Sequence, residues 1–347
     1  MRLSALVMNK LDARFDAELC RTFGSERVKR DVALGAFTTF RVGGPADWLL
    51  ETRNAEEIVA ALRLAHGEGI AVTILGGGSN VLVADAGVRG LVIHPRGGAV
   101  SRADPGHVRA DAAVTINGLV RWTITHALAG LEAWAGTPGT VGGAIFGNAH
   151  FRGRDIGDLV AAVRMASRSG EVQDIPASAL EFGYDRSRLQ TTGEVLLSAE
   201  FLVSQGDAAA LRATARESLA YRKRTQPLNQ PSAGCIFQNP DPSRDRVPDS
   251  IPWSAGALID RAGLKGLAVG GARVSPAHAN FIVNDGSATA RDIRRVIVAC
   301  RQRVREKLGV ELRDEIVYLG DFDVDCRVAS ASRGTRTRPC RCSPPAC

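Results

Sequence analysis

The amino-acid sequence predicts an α+β protein that contains more than one domain. The chain has 347 residues, of which 45% are hydrophobic and 23% charged, so it can form two or three domains with a substantial buried core. In its first third, an amphipathic helix over 54–66 precedes a buried strand over 70–75 and a run of glycines, a compact βα unit. Further along, mostly strand-like segments are followed by two long helical stretches, one from Asp207 to about Arg224 and one from Thr289.

Capping residues and apolar spacing define the predicted helices. Asn54 can cap the first helix, with Glu57 three residues later, and Gly67 ends it. Thr289 and Asp292 have the spacing of a capping box for the last helix. The apolar stripe of that helix consists of Ile293, Val296, Ile297, Cys300, Val304 and Leu308.

Changes in pattern along the chain divide it into five parts. A strand over 108–115, followed by an amphipathic helix that ends at Gly130, belongs to a second lobe. The last residues are rich in Arg, Ser and Pro with almost no large apolar residues, which is typical of a disordered tail. We expect an N-terminal helical segment over 1–30, a first lobe over 31–95, a second lobe over 96–205, a separate α/β domain over 206–320 and a disordered tail over 321–347.

Composition argues against several classes of protein. The mean hydropathy is −0.04 and no apolar run approaches the length of a membrane span, so we expect no membrane association. The first residues do not read as a secretory signal, and we expect a cytoplasmic protein. The net charge is +7, but the arginines are scattered, so we expect no nucleic-acid partner. The seven cysteines form no paired CxxC modules, and we predict neither a metal site nor a disulfide framework.

A first glycine-rich turn follows the buried strand, in the sequence Leu75-Gly-Gly-Gly-Ser-Asn-Val81. Glycines there allow positive φ angles and let backbone N–H groups approach an anion without a Cβ in the way, as a diphosphate cradle requires. The run lacks the Gly-Lys-Ser/Thr ending of a P-loop and the last glycine of GxGxxG, which argues against a nucleoside triphosphatase and an ordinary dinucleotide fold. A simple tight turn is the alternative interpretation.

A second glycine-rich segment, GTPGTVGGA over 136–144, is followed by Gly147 and Asn148. Its four glycines, one proline and two threonines are incompatible with a stable helix or a central strand, so the segment is predicted to be a ligand-lining loop. An irregular connection is the alternative. Two such segments in one chain favour a shared nucleotide ligand.

Seven motifs occur in order over about residues 35–320. They are TTFRVGG at 38–44, LGGGSNVLV at 75–83, GTPGTVGGA at 136–144 with Asn148, AGCIFQNP at 233–240, LIDRAGLKG at 258–266, VSPAHANFIVN at 274–284 and GVELRDEIVYLG at 309–320. In this combination the chain resembles the UDP-N-acetylenolpyruvoylglucosamine reductase family. The short spacing between Ser187 and the strand at Leu196 leaves no room for the substrate-closing loop of one branch, so the chain resembles the second, loop-less type.

The resemblance implies a two-lobed FAD-binding domain of the vanillyl-alcohol-oxidase type and a C-terminal α/β substrate-binding domain. It implies FAD and NADPH as cofactors, with FAD held mainly by the two glycine segments. The residues that would bind FAD are Arg41, Gly76, Gly77, Gly78, Ser79, Asn80, Gly139, Thr140, Gly142, Gly143 and Asn148.

Three residues stand at or near the catalytic positions of the family. Cys235 matches the proton donor of the AGxxFxNP motif, and a thiol with a pKa of about 8.5 is mostly protonated at neutral pH. Glu315 matches the acidic partner. The family has Tyr-Arg-x-Ser where residues 184–187 read Tyr-Asp-Arg-Ser, so Asp185 stands at the catalytic Arg position. Arg186 can take that role only if this segment is a loop or bulge, because a one-residue shift in a strand reverses the side chain.

Three further positions depart from the family's pattern. Gln238 replaces a usual Lys, His150 a usual Gly and Thr137 a usual Ile. The substrate contacts that the resemblance implies are Tyr184, Asn239, Lys265 and His278. A buried structural Cys and a solvated surface Glu are the alternative interpretations of the two principal catalytic candidates.

The resemblance implies two half-reactions at one flavin. NADPH gives a hydride to FAD and leaves, and an enolpyruvyl UDP-sugar takes its place. Hydride passes from flavin N5 to C3 of the vinyl ether, Cys235 protonates C2, and Arg186 and Glu315 stabilise the enolate-like carboxylate. The product would be UDP-N-acetylmuramate for peptidoglycan synthesis. No obligatory protein partner is predicted.

Two alternatives belong to other groups of proteins. Another FAD-dependent oxidase or dehydrogenase of the same fold would keep the glycine segments but lack AGCIFQNP and the Glu315 motif. A nucleotide- or nucleic-acid-binding module is suggested by the pI of 9.3. The three tyrosines and scattered arginines do not form the alternating aromatic and basic pattern that such a module would use.

Overall fold

Four clusters of buried apolar side chains organise the part of the chain that the structure describes. The computed structural model describes residues 2–322, with side chains described from Asp12 onward. The predicted tail over 321–347 lies, from residue 323 on, outside the described residues. Every helix within 2–322 is too short or too polar to cross a bilayer.

The first lobe is built on a four-stranded sheet. Its elements are α1 (Arg2–Phe23), β1 (Val28–Ala33), β2 (Pro45–Thr52), α2 (Ala55–Gly67), β3 (Val72–Ile74), β4 (Val81–Val83) and β5 (Val88–Pro95). The strand order is β1-β2-β5-β3, with β1 antiparallel to β2 and the other neighbours parallel. Phe15 of α1 packs edge-on against Trp48 of β2, with 5.1 Å between ring centroids, so the N-terminal helix belongs to the core of this lobe.

Helix α2 forms where the sequence predicts it. The side chain of Asn54 accepts a hydrogen bond from the backbone N–H of Glu57 at 2.9 Å, which satisfies one of the free N–H groups at the helix start. Ile58, Leu62 and Ala65 are buried against the sheet. The predicted helix is therefore confirmed within one residue at each end.

The second lobe is built on a five-stranded antiparallel sheet. Its elements are β6 (Val100–Asp104), β7 (His107–Asp111), α3 (Ile116–Thr125), β8 (Leu128–Ala129), α4 (Val141–Phe146), β9 (His150–Phe151), β10 (Arg154–Asp155), β11 (Val160–Ala166), β12 (Val172–Pro176), α5 (Leu189–Thr192), β13 (Val195–Leu202) and β14 (Ser204–Gln205). The sheet order is β12-β11-β13-β7-β6, and β9 pairs with β10 and β8 with β14. Only α5 lies between Ser187 and β13, which agrees with the predicted absence of an inserted loop.

Helix α4 corrects the prediction that residues 136–144 form a loop throughout. The side chain of Thr140 accepts a hydrogen bond from the N–H of Gly143 and caps the helix. Val141 and Ile145 are fully buried in the core of the second lobe. Each of the two helical glycines destabilises the helix by about 1 kcal/mol relative to alanine, and capping and burial together outweigh this cost.

The C-terminal part combines helices with a three-stranded antiparallel sheet. Its elements are α6 (Ala208–Thr225), α7 (Ala255–Arg261), β15 (Ala268–Val269), β16 (Ala272–Val274), β17 (Ile282–Asn284), α8 (Ala290–Leu308) and β18 (Val317–Leu319). The predicted capping box of α8 is present at Thr289 and Asp292. Its predicted stripe is buried from Ile293 to Val304, and Leu308 is partly buried.

Two elements connect this C-terminal part to the lobes. Leu211 and Ala215 of α6 lie in the core of the second lobe. Strand β18 pairs in parallel with β4 of the first lobe, with Val317 opposite Val81. The C-terminal end of the described chain is thereby brought against the first glycine turn, while the domain boundaries stay predictions.

Candidate active site

The two glycine segments touch each other. A Cβ added to Gly77 would lie 2.7 Å from the Cα of Gly139, and one added to Gly139 would lie 2.7 Å from the Oγ of Ser79. A Cβ added to Gly76 would lie 2.7 Å from the Oγ1 of Thr140. Glycine is therefore needed at these positions for the segments to pack together, and the two segments form one continuous surface.

The first glycine segment presents a run of backbone donors. Among the described residues, none accepts a hydrogen bond from the backbone N–H groups of residues 76–80. Consecutive free N–H groups of this kind form an anion-binding concavity. The chemistry of this donor set fits the diphosphate of a dinucleotide cofactor.

The segment that contains Arg41 is anchored beside this turn. The N–H of Thr39 donates to the carbonyl of Gly78 at 3.0 Å, and the carbonyl of Phe40 accepts a hydrogen bond from the side chain of Asn284 at 2.8 Å. Arg41 is exposed and has a φ of 58°. An exposed cationic residue thus lies two positions along the chain from Thr39, which contacts the turn.

Other predicted cofactor residues use their polar groups inside the protein. Asn148 is buried, its Nδ2 donates to the carbonyl of Gly183 and its Oδ1 accepts from the N–H of Gly157, both at 2.9 Å. The N–H of Gly142 donates to a backbone carbonyl and that of Gly143 to the capping threonine of α4. Asn148 thereby holds the turn that carries residues 184 and 185.

Cys235 and Glu315 lie on adjacent backbone segments. The N–H of Glu315 donates to the carbonyl of Ile236 at 2.8 Å. The buried amide of Asn280 clamps the following residue, Phe237, by accepting from its N–H at 3.0 Å and donating to its carbonyl at 2.7 Å. The structure thus brings the predicted proton donor and its predicted acidic partner together.

The surroundings of these two groups favour their protonated forms. Burial, and then the charge of Asp185, raise the pKa of Glu315 to about 8, while the charge of His150 acts in the opposite direction. Burial also raises the pKa of the Cys235 thiol above its ordinary value, and the carboxylates of Glu315 and Asp185 add to this effect. A protonated thiol and a protonated carboxyl near neutral pH are what proton donation to substrate requires.

A pair that the sequence alone did not predict lies beside them. The Nδ1 of His150 is 3.0 Å from the Oδ1 of Asp185, whose side chain is only 8% exposed. The Oδ2 of Asp185 is buried and forms no hydrogen bond with any described residue. The hydrogen bond to Asp185 raises the pKa of His150 above its ordinary value, although burial opposes it. The only sequence signal for the pair is that each residue departs from the family's pattern.

The turn over residues 183–186 decides which side chain enters this cluster. Gly183 and Arg186 exchange two backbone hydrogen bonds, at 3.0 and 3.1 Å, and Asp185 has a φ of 52°. The segment is thus the loop that the predicted role of Arg186 requires. However, the turn buries the side chain of Asp185 and leaves Arg186 exposed, so the structure does not bring Arg186 into the cluster.

The predicted substrate residues fall into two groups. Tyr184 is half exposed, and its hydroxyl is 3.4 Å from the N–H of Asn239, whose Oδ1 accepts from the N–H of Ala255 at the start of α7. Lys265 forms an exposed ion pair at 2.7 Å with an aspartate of its own motif. Burial, followed by the charge of Lys265, lowers the pKa of His278. Tyr184 and Asn239 therefore border the cluster, while His278 accepts a hydrogen bond from the N–H of Asn280 at 3.3 Å and is affected by the charge of Lys265.

Arg222 is a second residue that the sequence alone did not single out. It is 7% exposed at the end of α6, its Nη2 donates to the Oγ1 of Thr137 at 2.8 Å, and its guanidinium lies 3.9 Å from the ring centroid of Phe151. Burial lowers its pKa to about 10, and the charge of Cys235 acts against that shift. A buried cation thus lies within electrostatic range of Cys235.

Comparison with known proteins decides which family this site belongs to. The profile described as FAD binding domain matches residues 46–176, and that described as UDP-N-acetylenolpyruvoylglucosamine reductase, C-terminal domain, matches residues 226–319. A UDP-N-acetylenolpyruvoylglucosamine reductase of Myxococcus xanthus (strain DK1622) is 39% identical over 306 residues, which cover 87% of this chain and 95% of that protein. The chain belongs to the UDP-N-acetylenolpyruvoylglucosamine reductase family.

Other members of the reductase family agree. A reductase of Trichormus variabilis (strain ATCC 29413 / PCC 7937) is 40% identical over 299 residues, which cover 85% of this chain and 87% of that protein. The crystal structure of a reductase from Thermus caldophilus matches with a TM-score of 0.71 and 33% identity, covering 85% of this chain and 99% of that chain. The predicted family, the predicted fold class and the prediction of an FAD-containing oxidoreductase are confirmed.

Proposed function

We propose that this chain reduces the enolpyruvyl group of UDP-N-acetylglucosamine enolpyruvate to UDP-N-acetylmuramate in peptidoglycan synthesis, with NADPH as reductant. One observation carries the proposal: the backbone of Glu315 is hydrogen-bonded to Asn80 of the first glycine segment and to Ile236, the neighbour of Cys235, and burial favours the protonated forms of Glu315 and Cys235. A dinucleotide held by that segment would lie beside two proton-bearing groups. The soluble nucleotide substrate fits the cytoplasmic location that we propose.

The cofactor would be held by the contacting glycine segments. The free N–H groups of residues 76–80 would bind the diphosphate, with Arg41 beside them and Gly139 and Thr140 opposite. Bound FAD would supply the redox chemistry, as acceptor of a hydride from NADPH and donor of a hydride to the substrate. Asn148 would act on this site through the turn at Gly183.

Cys235 would supply the proton that completes the reduction. As a hydride bonds to C3 of the substrate, the electrons of the double bond would move toward C2, and the thiol proton of Cys235 would form the new bond at C2. The thiolate left behind regains its proton from solvent. Because burial keeps the thiol protonated before the step, the donor is in the required state near neutral pH.

Glu315 would hold the substrate's carboxylate as charge builds on it. A carboxyl group with a pKa near 8 can donate a hydrogen bond at neutral pH, whereas an ordinary Glu cannot. The cationic role at the same carboxylate is predicted for Arg186 from the family's motif. Tyr184, Asn239, Lys265 and His278 are the proposed substrate contacts.

The experiment is product analysis with the purified yellow holoenzyme. Incubation with NADPH and the enolpyruvyl UDP-sugar is expected to raise the substrate mass by two hydrogens, and in deuterium oxide the C2 position is expected to carry one deuterium. Oxidation of NADPH at the same rate with and without the nucleotide, and an unchanged nucleotide mass, would instead indicate another flavin oxidase of the same fold.

A further inference from the structure

Two carboxyl groups, those of Asp185 and Glu315, lie within electrostatic range of each other in the candidate site. Asp185 is almost fully buried, and its charge acts on both Glu315 and Cys235. A third carboxylate, the substrate's own, must approach the same place if the proposed function holds. Buried like charges repel strongly unless a cation lies among them.

His150 is the cation-forming group in contact with Asp185. Its Nδ1 is 3.0 Å from the Oδ1 of Asp185, and its ring lies 4.8 Å from the ring of Tyr184. Asp155 stands opposite His150 in the β9–β10 pair. The charged groups that face the imidazole are therefore Asp185, Glu315 and Asp155, all acidic, and each favours the protonated ring.

The position of Asp185 also defines which ring nitrogen is free. With Nδ1–H donated to the carboxylate, the protonated ring keeps Nε2–H as its second donor. The Oδ2 of Asp185 is buried and no described residue donates a hydrogen bond to it, so the carboxylate can accept a further donor. By contrast, Arg186 in the same turn is exposed.

Resting on the proposed function, we infer that His150, held by Asp185, is the cationic residue that binds the substrate's carboxylate in this chain. The pair fills the place that the family's motif assigns to a single arginine: Asp185 stands at the Arg position, and the histidine at a usual glycine position supplies the positive charge. Nε2–H would donate to the carboxylate as negative charge builds at C2. Glu315 would donate to the same group.

The test follows both half-reactions of the holoenzyme by anaerobic stopped-flow absorbance. His150→Gln keeps a hydrogen-bond donor but removes the charge. Reoxidation of the NADPH-reduced flavin by the enolpyruvyl UDP-sugar is expected to slow about 10²-fold, because a neutral donor stabilises the developing charge less than a cationic one. Flavin reduction by NADPH is expected to stay unchanged. The matched control is His126→Gln, at an exposed histidine on the end of α3, with neither rate altered.

The pH profile separates a charged His150 from a merely structural one. The rate of flavin reoxidation in the wild-type enzyme should fall as pH rises, because the imidazolium of His150 and the carboxyl of Glu315 both lose a proton. This fall is the alkaline limb of the pH profile. In Asp185→Asn, loss of the carboxylate should lower the pKa values of His150 and Glu315, so the alkaline limb should move to lower pH. In His150→Gln the limb that remains belongs to Glu315 and should move to higher pH, because the charge of His150 lowers the pKa of Glu315.

A double variant and an NMR titration test whether lost activity in the single variants results from misfolding. His150→Gly combined with Asp185→Arg places the family's residues at both positions and should recover much of the rate lost in His150→Gln. In the wild-type holoenzyme, NMR titration of the His150 ring should give a pKa above its ordinary value that rises further when UDP-N-acetylmuramate, which carries the carboxylate, is added.

Each result decides the inference. Wild-type reoxidation rates in His150→Gln, loss of reoxidation in Arg186→Gln alone, or a ring pKa that product leaves unchanged would overturn the inference and return the role to Arg186. If the nucleotide does not reoxidise the reduced flavin of the wild-type enzyme, the proposed function and this inference are both wrong. The absorbance trace of the wild-type enzyme therefore distinguishes failure of the inference alone from failure of the proposed function.

Discussion

Asn80 and Glu315 are joined directly, because the Nδ2 of Asn80 donates to the backbone carbonyl of Glu315 across 3.2 Å. The carbonyl of Asn80 in turn accepts from the N–H of Val317 at 2.9 Å, where β18 begins to pair with β4. The segment that would bind the flavin diphosphate and the carboxyl group that would bind the substrate are therefore one hydrogen-bonded unit. A change in the backbone position of the glycine segment should therefore change the position of Glu315.

Asn80→Ala tests this connection. Removing one such hydrogen bond costs about 0.5–1.5 kcal/mol, so a modest drop in melting temperature is expected. Because the lost bond holds Glu315, reoxidation of reduced flavin by substrate should fall more than flavin reduction by NADPH. Stopped-flow absorbance of both half-reactions measures the split, and equal losses in the two would contradict a positioning role for Asn80.

Gly77→Ala tests the contact between the glycine segments. The added Cβ would lie 2.7 Å from the Cα of Gly139, so one segment must move and the cofactor surface must open. We expect largely flavin-free protein, measured as the ratio of absorbance at the flavin band to that at 280 nm. Gly67→Ala at the end of α2, where an added Cβ meets nothing within 4 Å, is the matched control. Full flavin occupancy in Gly77→Ala would show that the contact does not matter for binding.

Cys235→Ala separates the two half-reactions. NADPH should still bleach the flavin at a near-normal rate, because that step needs no proton at substrate C2. Reoxidation by the nucleotide needs that proton, and loss of a positioned general acid costs about 10²–10⁴-fold. Cys235→Ser should recover much of the loss, since a hydroxyl can also donate. Normal reoxidation in Cys235→Ala would make Cys235 a structural residue.

Much of the fold follows from local sequence signals. Helices α2 and α8 carry their caps and apolar stripes within a few residues, so both were predictable with nearly correct ends. Helix α4 was not, because burial of Val141 and Ile145 in the core outweighs its glycines, and burial depends on the whole lobe. The packing of α6 on the second lobe is likewise a long-range contact.

The same distinction applies to the site. Cys235 and Glu315 stand in motifs and were predictable from the family's pattern. The contact between His150 and Asp185 depends on a turn that is held from outside, by the amide of Asn148 on Gly183. No local pattern indicates that this turn buries Asp185 and exposes Arg186, so the pair emerges only from the three-dimensional arrangement.

Glu315→Gln should change how stability depends on pH. A carboxyl group whose pKa is raised on folding binds more protons in the folded state, so wild-type stability falls as pH rises from the unfolded value of 4.5 toward about 8. Glutamine does not titrate. The melting temperature of the variant relative to wild type should therefore increase from about pH 5 to about pH 8 and level off above.

The control for this prediction is Glu306→Gln, at an exposed glutamate on α8. Differential scanning fluorimetry of the holoenzymes over that pH range measures the differences. A Glu315→Gln difference that is constant with pH, or one that follows the control, would show that Glu315 does not titrate in this range.

We propose that reduced flavin in this chain transfers its hydride to the enolpyruvyl UDP-sugar beside Cys235 and Glu315. The most direct measurement is anaerobic: holoenzyme is reduced with one equivalent of NADPH, mixed with UDP-N-acetylglucosamine enolpyruvate, and followed at the oxidised-flavin band near 450 nm. We expect full return of the band and formation of one equivalent of UDP-N-acetylmuramate. A flavin that NADPH bleaches but that stays reduced in the presence of the nucleotide would contradict it.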